Sequence, residues 1–495
     1  MRRIWLITFV FLFSFVLSAC TSDKNGTEDN PVFEEPIELN IYFLNDLHGA
    51  LLEGDGEMGM ARIGNFLLSE KVSRPEKTII LGGGDMVQGT LFSNYFHGEN
   101  TTRIMDEVGF DATALGNHEF DWGLDQVTRY YDGSEDVYQA SHKLLGANVF
   151  YKGTETIPSG IEPYIIIERS GLSIGIIGTI GYGLESSILA PMVADYEFAA
   201  PTPIVEDYAR MLRSEKDVDV VLLLTHDVGS NFYNLNHKVS QLPDDAKIDA
   251  VFNGHSHRTE TEMRGMMPTI MSGSSGSHIG LVKLVYEAGA IIDASAENLG
   301  PEADFRLTEG HGGIQAIMDE YMLEIEHLYE PVLPAARSIS RTDLSEWMST
   351  LMLIATGADI AFQNSGGTRD SFYHGEQVSI ARLYDVFPFD NTVVRADVPG
   401  HLVLNLMDGN PHYAMNVDAI DANETYTIAT NNYIFLRESN NLVANSTNIE
   451  FLDLEMFDLA IEALLQMADV YEAFSTDHPI LIGPYETWHY EEDTP

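Results

Sequence analysis

Nine residues carry the chemistry legible in this chain: Asp46, His48, Asp85, Asn117, His118, Asp121, His226, His255 and His257. They fall in five short groups (N-D-L-H-G, G-G-G-D, G-N-H-E-F-D, T-H-D and G-H-S-H), and each group closes an apolar run. Asp46 and His48 stand two apart, as do His255 and His257. In extended backbone such residues face the same side, so Asp46 and His48 can both coordinate one ion, and G-H-S-H again spaces two imidazoles by two residues. Asp85 follows Gly82 to Gly84, which lets the backbone come close to a ligand and leaves the carboxylate free to bridge two ions. Asn117 offers a carbonyl oxygen, and Asp121 stands three residues beyond His118, placed to accept from its ring. Imidazole and carboxylate donors without thiolate suit Mn, Fe, Co or Zn, with Mg also open, rather than a Cys-rich structural zinc site. Two such divalent ions about 4 Å apart can hold a bridging hydroxide and clamp a phosphoryl oxygen for in-line displacement. The chemistry expected is metal-assisted phosphoester hydrolysis. A protonated His118, held by Asp121, stabilises the transition state or the leaving oxygen.

The elements that must position these donors are five runs beginning at Ile37, Lys77, Phe110, Asp219 and Asp249. Aliphatic and β-branched stretches bounded by Gly, Asp and Asn read as buried parallel strands. In open parallel sheets, ligands bind outside the carboxyl ends of the strands, so the five groups point to one composite site. Strands alternate with helical stretches from about Ile37 to about Ala290, with further strands expected at PYIIIE near Pro163 and at LSIGIIGTI from Leu172. That alternation gives an α/β class. From Gly313, GIQAIMDEYMLEIEHLYEPVL has the spacing of a long amphipathic helix suited to linking two domains. An α+β region follows.

The 495 residues are too many for one ordinary core and suggest two domains. The expected division is 1–20 signal peptide, 21–36 tether, 37–305 catalytic domain, 306–334 linker helix, 335–484 substrate domain and 485–495 acidic tail. With 27 Lys+Arg against 76 Asp+Glu, the formal charge of −49 disfavours docking on nucleic acid or anionic membrane. Arg2 and Arg3 precede an apolar run from Ile4 to Val16, then L-S-A-C. The run is short for a membrane span and has the flanks of a signal peptide. LSAC resembles the bacterial lipobox, in which the cysteine becomes the lipidated N-terminus. Cys20 is the only cysteine, so no intrachain disulfide can form. The expected location is extracytoplasmic, on the bacterial cell envelope, with the membrane met through the lipid anchor only and no protein partner implied.

The five groups together resemble the calcineurin-like metallophosphoesterases, specifically the bacterial 5′-nucleotidase and UDP-sugar hydrolase branch, over about residues 38 to 480. The resemblance implies an N-terminal four-layer α/β/β/α domain and a C-terminal α+β substrate domain. It implies one ion held by Asp46, His48, Asp85 and His257, and a second by Asp85, Asn117, His226 and His255. His118 and Asp121 match the family's catalytic pair. His97, His142, His278 and His311 match no ligand motif and are expected at the surface or in packing. The loop SGSSGSH before His278 is expected to be a simple loop. ATGADIAFQNSGGTRD resembles the family's N-G-G-G-x-R segment, which makes Asn364 and Arg369 substrate contacts, and LYDVFPFDNTVV matches its P-F-G-N segment, with Phe389 stacking on a nucleobase and Asn391 bonding its edge. The chain departs from the pattern at Ser345-Glu346-Trp347, where the family has G-N-L, and at LRESNNL from Leu436, where it has G-G-D and an aromatic. Arg337 and Arg341 are candidates for an upstream phosphate-binding arginine. Tyr433 and Phe435 lie near the lost aromatic, where strand alternation explains them equally well. The implied substrates are nucleoside 5′-monophosphates. Nucleotide sugars, 2′,3′-cyclic nucleotides, or a non-nucleotide phosphoester or thiosulfonate are alternatives, and a non-catalytic surface binding protein is a further one.

Overall fold

The computed structural model describes residues 35–54, 56–227, 234–409 and 412–485. The signal-peptide stretch, Cys20, all but the last two tether residues and the tail beyond residue 485 lie outside the described residues. Among the described residues, no helix is long and apolar enough to cross a membrane.

The five donor-bearing strands do not share one sheet. Ile37–Leu44, Thr78–Gly82 and Ala112–Ala114 lie side by side in a seven-stranded sheet, parallel to one another. Val220–His226 and Ala250–Asn253 lie in a six-stranded sheet, parallel to each other and beside Leu172–Ile180. The two sheets pack face to face, and side-chain alternation sorts the apolar residues into three stacked clusters. In the middle, Leu39, Ile41, Phe43 and Leu81 of the first sheet meet Ile174, Leu222, Leu224 and Phe252 of the second. The Phe43 and Phe252 rings lie 5.2 Å apart. On the far side of the first sheet, Tyr42, Leu44 and Ile80 meet Ile63, Phe66 and Leu67 of the helix Met60–Ser73. On the far side of the second, Val221, Leu223 and Val251 meet Val205, Ala209 and Leu212 of the helix Pro201–Glu215. Helix, sheet, sheet, helix is the α/β/β/α order. A strand buried on both faces is apolar along most of its length, which is why these runs are largely aliphatic, with polar alternation confined to Glu38 and Asn40 at the start of the first.

The helix expected from Gly313 spans Gly312–Ile325. It buries Ile314, Met318 and Ile325 against the helical layer of the first sheet, so its inner face belongs to the catalytic core. Beyond it, the strands His412–Met415, Ile360–Gln363, Thr425–Asn431, Thr392–Pro399 and Thr447–Glu455 form a five-stranded sheet. The helices Arg341–Thr356 and Met456–Val470 cover one face, and Gly400–Gly409 covers the other. Ser340 caps the first of these helices and Asp343 returns the bond, a reciprocal capping box. Trp347, where the family pattern has a different residue, is buried in this core, edge-on to Phe474 at 5.3 Å.

The two catalytic sheets approach closely at Gly178, whose carbonyl accepts from Ala147 N at 2.7 Å. A Cβ at Gly178 would collide with the side chain and backbone of Leu145, on the opposite sheet. Gly178→Val is therefore expected to lower stability by about 1–3 kcal/mol, read as a reduced thermal midpoint. An unchanged midpoint would show that the two sheets separate here without cost.

Candidate dinuclear metal centre

All five donor groups arrive at the edge where the two sheets meet. Asp46 and His48 follow the Ile37–Leu44 strand, Asp85 follows Thr78–Gly82, and Asn117 and His118 follow Ala112–Ala114. His226 is the last residue of its strand, and His255 and His257 follow Ala250–Asn253. Five of these residues hold left-handed backbone: Asp46 at φ 50°, His48 at 51°, Asp85 at 52°, His255 at 74° and His257 at 56°. Each such non-glycine residue costs about 1 kcal/mol or more, so the surroundings must over-determine the turn. They do. Asp46 N donates to Gly84 O at 3.1 Å and His48 N to Asp85 O at 2.9 Å. The His255 amide donates to both Asp46 carboxylate oxygens at 3.0 Å. Gly84, at φ 82°, has no room for a Cβ beside Gly116 and the His226 ring.

The side chains form two overlapping groups. In one, His48 Nε2 stands 3.1 Å from His257 Nε2, and His257 Nε2 stands 3.5 Å from Asp46 Oδ1. In the other, His226 Nε2 lies 3.0 Å from Asp85 Oδ2 and 3.2 Å from Asn117 Oδ1, with His255 Nδ1 2.9 Å from the same oxygen. Asp85 also falls within a ligand-sized group with His48 and His118, so it stands between the two clusters. Two rings are fixed from behind. His48 Nδ1 donates to Gln88 O and His226 Nδ1 to Gly83 O, each at 2.8 Å. A carbonyl only accepts, so the neutral form of each ring aims the Nε2 lone pair into the site, the outer-shell arrangement that prepares imidazole for a metal.

The electrostatics demand positive charge at this point. Burial pushes the Asp46 carboxyl up to about 7 and holds the His255 and His257 rings down at about 4, neutral and ligand-competent. For His226, burial opposes the charged form, yet Asp85 outweighs it and the ring rises to about 10. Something cationic, proton or metal, is required between His226 Nε2 and Asp85. The donor set fits divalent ions.

His118 and Asp121 stand beside this cluster as a pair. The His118 Nδ1 donates to Asp121 Oδ2 at 2.6 Å, and the His118 amide donates to Asp85 Oδ1 at 2.8 Å. Burial works against a charge on His118, but Asp121 and Asp85 outweigh it and raise its pKa. The His118 ring lies near-parallel to Phe389, centroids 5.9 Å apart. Both rings border a cleft of about 430 Å³. Asn117 and His255 lie at its metal end, with Asn364, Arg369 and Asn391 on the wall from the second half of the chain. All four substrate candidates named from sequence thus share one cleft. Arg369 also borders a second cavity of about 780 Å³ on the His48 and His257 side, where Ser274 and Ser275 of the SGSSGSH loop join it.

His97 is exposed, as expected of a surface residue, and borders the cleft with its ring edge-on to Trp122 at 5.5 Å. Other expectations are corrected. Tyr433 and Phe435 do not alternate along a strand; they sit on the short helix Asn432–Leu436, whose turn sends them apart. Tyr433 borders the cleft and Phe435 is buried in the core. Arg337 pairs with Asp343 and Asp477, away from the cleft, whereas Arg341 donates to Thr368 O at 2.8 Å and borders the second cavity. Trp122, Leu189 and Met192 complete the cleft wall; no spacing rule marks the last two. Glu119 was also missed, although it lies inside G-N-H-E-F-D. It is buried and accepts from the backbone amides of Asp85, Met86 and Gly116 at 3.0, 2.7 and 2.7 Å. Its carboxylate knots the Asp85 turn to the Asn117 turn.

This fold and donor set define a calcineurin-like phosphoesterase, and that family's model matches residues 39–259. A second model, the 5′-nucleotidase C-terminal domain, matches residues 327–414. The chain belongs to the calcineurin-like phosphoesterases that carry a 5′-nucleotidase C-terminal domain. It is 25% identical to the endonuclease YhcR of Bacillus subtilis over 83% of this chain and 36% of that protein. It is 24% identical to a 5′-nucleotidase of Vibrio cholerae over 76% of each. The chain thus spans about a third of the length of the Bacillus relative. The crystal structure of a 5′-nucleotidase precursor from Thermus thermophilus superposes with a TM-score of 0.73 at 20% identity, covering 89% of this chain and 97% of the other, a likeness of fold.

Because Glu119 holds the turn that presents Asp85, Glu119→Ala is expected to weaken divalent-ion binding by about 10–100-fold, measured by titration calorimetry on the stripped protein. Undiminished affinity would show that the Asp85 turn holds its shape unaided.

Proposed function

We propose that this protein is a two-metal phosphoester hydrolase acting on nucleoside 5′-monophosphates. The observation that carries the reading is the placement of the His118–Asp121 pair between the convergent donor set and a cleft walled by Arg369, Phe389 and Asn391. On this reading Asp46, His48, Asp85 and His257 hold one ion, and Asp85, Asn117, His226 and His255 the other. Bound divalent ions would supply an activated water and neutralise charge on the phosphoryl oxygens.

The chain's own residues do the rest. With Nδ1–H donated to Asp121, a charged His118 holds its second proton on Nε2 and passes it to the leaving oxygen. Arg369 meets phosphate oxygens as a charged donor. Phe389 stacks on the base and Asn391 bonds its edge. Trp122, Leu189 and Met192, which line the same cleft, stand in for the second aromatic that the segment from Leu436 lacks. The loss of that aromatic favours a second reading, a hydrolase for non-nucleotide phosphoesters that uses the same centre.

The proposal extends to the ends of the chain. We place the catalytic domain at 37–305, the linker at 306–334 and the substrate domain at 335–484, with export and lipid attachment through Cys20. That arrangement would put the enzyme on the outer side of a bacterial membrane.

Two measurements test this. His118→Ala is expected to lower turnover by about 10²–10⁴ with metal content unchanged, followed by phosphate release and elemental analysis; undiminished turnover removes His118 from the chemistry. AMP is expected to be hydrolysed with higher kcat/KM than p-nitrophenyl phosphate, and equal values would favour the second reading.

A further inference from the structure

Gln88 lies three residues beyond Asp85 and is buried. It makes two unlike bonds in opposite directions. Its backbone carbonyl accepts the His48 Nδ1 proton at 2.8 Å. Its side-chain Nε2 donates at 2.7 Å to the carbonyl of Pro388, which stands 300 positions away on the other half of the chain. Gln88 borders both the 430 Å³ cleft and the 780 Å³ cavity, between the donor set and the Phe389 turn. Asn94 reaches the same Pro388 carbonyl only at 3.3 Å and makes its shorter bond, 2.9 Å, to the Tyr384 hydroxyl. Phe389 follows Pro388 directly. A carbonyl pinned at Pro388 therefore restricts where the next ring can lie, and that ring stands beside His118, centroids 5.9 Å apart.

We propose that Gln88 is a positioning residue: its side chain holds the Pro388–Asn391 turn so that Phe389 and Asn391 seat the leaving group over His118, while its main chain orients His48. One residue thereby ties the leaving-group seat to the metal face. The tie is read from geometry; the identity of the leaving group as a nucleoside rests on the function proposed above. Removing the side-chain donor leaves the Pro388 carbonyl with only the longer, 3.3 Å bond from Asn94.

The test uses the full soluble chain with its metals. Gln88→Met keeps the length and loses the donor; Gln88→Ala removes the reach as well. Both are expected to lower kcat/KM for AMP about tenfold, mainly through KM, with a much smaller fall for p-nitrophenyl phosphate. The ratio of the two values therefore shifts, and metal content stays at the wild-type level. Loss of metal, an equal fall on both substrates, or unchanged AMP kinetics would overturn the proposal. Phe389→Ala completes a double-mutant cycle. Once the tie is cut, removing the ring is expected to cost little more, and additive losses would sink the idea. A wild type that handles AMP no better than the aryl phosphate defeats the nucleotidase reading alone. The cycle is then run on whichever substrate shows a Phe389→Ala penalty, and if neither shows one the tie is refuted too.

Discussion

The structure is organised around the packing of unscreened lone pairs at a seam between two sheets. Imidazole nitrogens 3.1 Å apart and an imidazole nitrogen 3.0 Å from a carboxylate oxygen would repel one another if nothing positive stood between them. Water cannot dilute the repulsion, because Asp46, Asp85, Asn117 and His226 are buried. Bringing such groups together costs free energy that only a proton or a metal ion recovers. The rest of the catalytic half reads as the apparatus that enforces this convergence. Apolar strands on two sheets carry the donors to one edge, left-handed turns fold several of them inward, and Glu119 ties the left-handed Asp85 turn to the Asn117 turn.

Much of this was legible in the sequence. Asp and His do not accumulate at the ends of five apolar runs by chance of composition, and the i, i+2 spacing of Asp46 and His48 already implied one shared ion, whereas His255 and His257, at the same spacing, fall in different donor groups. All nine nominated residues, and Asn364, Arg369, Phe389 and Asn391 from the distant half, gather around one centre. The arrangement of the strands was less legible. A run that is apolar throughout says that both faces are buried; it does not say which sheet owns it. The split of three strands against two came only with the structure, although the family resemblance implied four layers.

What remained hidden has a common cause. Gln88 and Glu119 act on backbone groups, and a side chain that serves a distant carbonyl or amide leaves no periodic signature. Tyr433 and Phe435 illustrate a different limit. Two residues apart on a strand would share a face, whereas on the short helix they diverge, so a change of element after Asn431 reassigned one to the cleft and the other to the core. Arg337 lies away from the cleft, its charge paired with two carboxylates.

The left-handed turns carry one more implication. Each is an unfavourable conformation maintained by bonds that run between strands, and the donors they present come from both sheets. An ion held by such a set is a rivet through the sandwich. By mass action, occupancy adds stability that grows with the free ion concentration, and the rivet adds to the apolar contacts and the few hydrogen bonds, such as His226 Nδ1 to Gly83 O, that already join the layers. Metal supply would then set how firmly the two sheets are clasped as well as how fast the centre works, and a chain deprived of ions would loosen first along the seam.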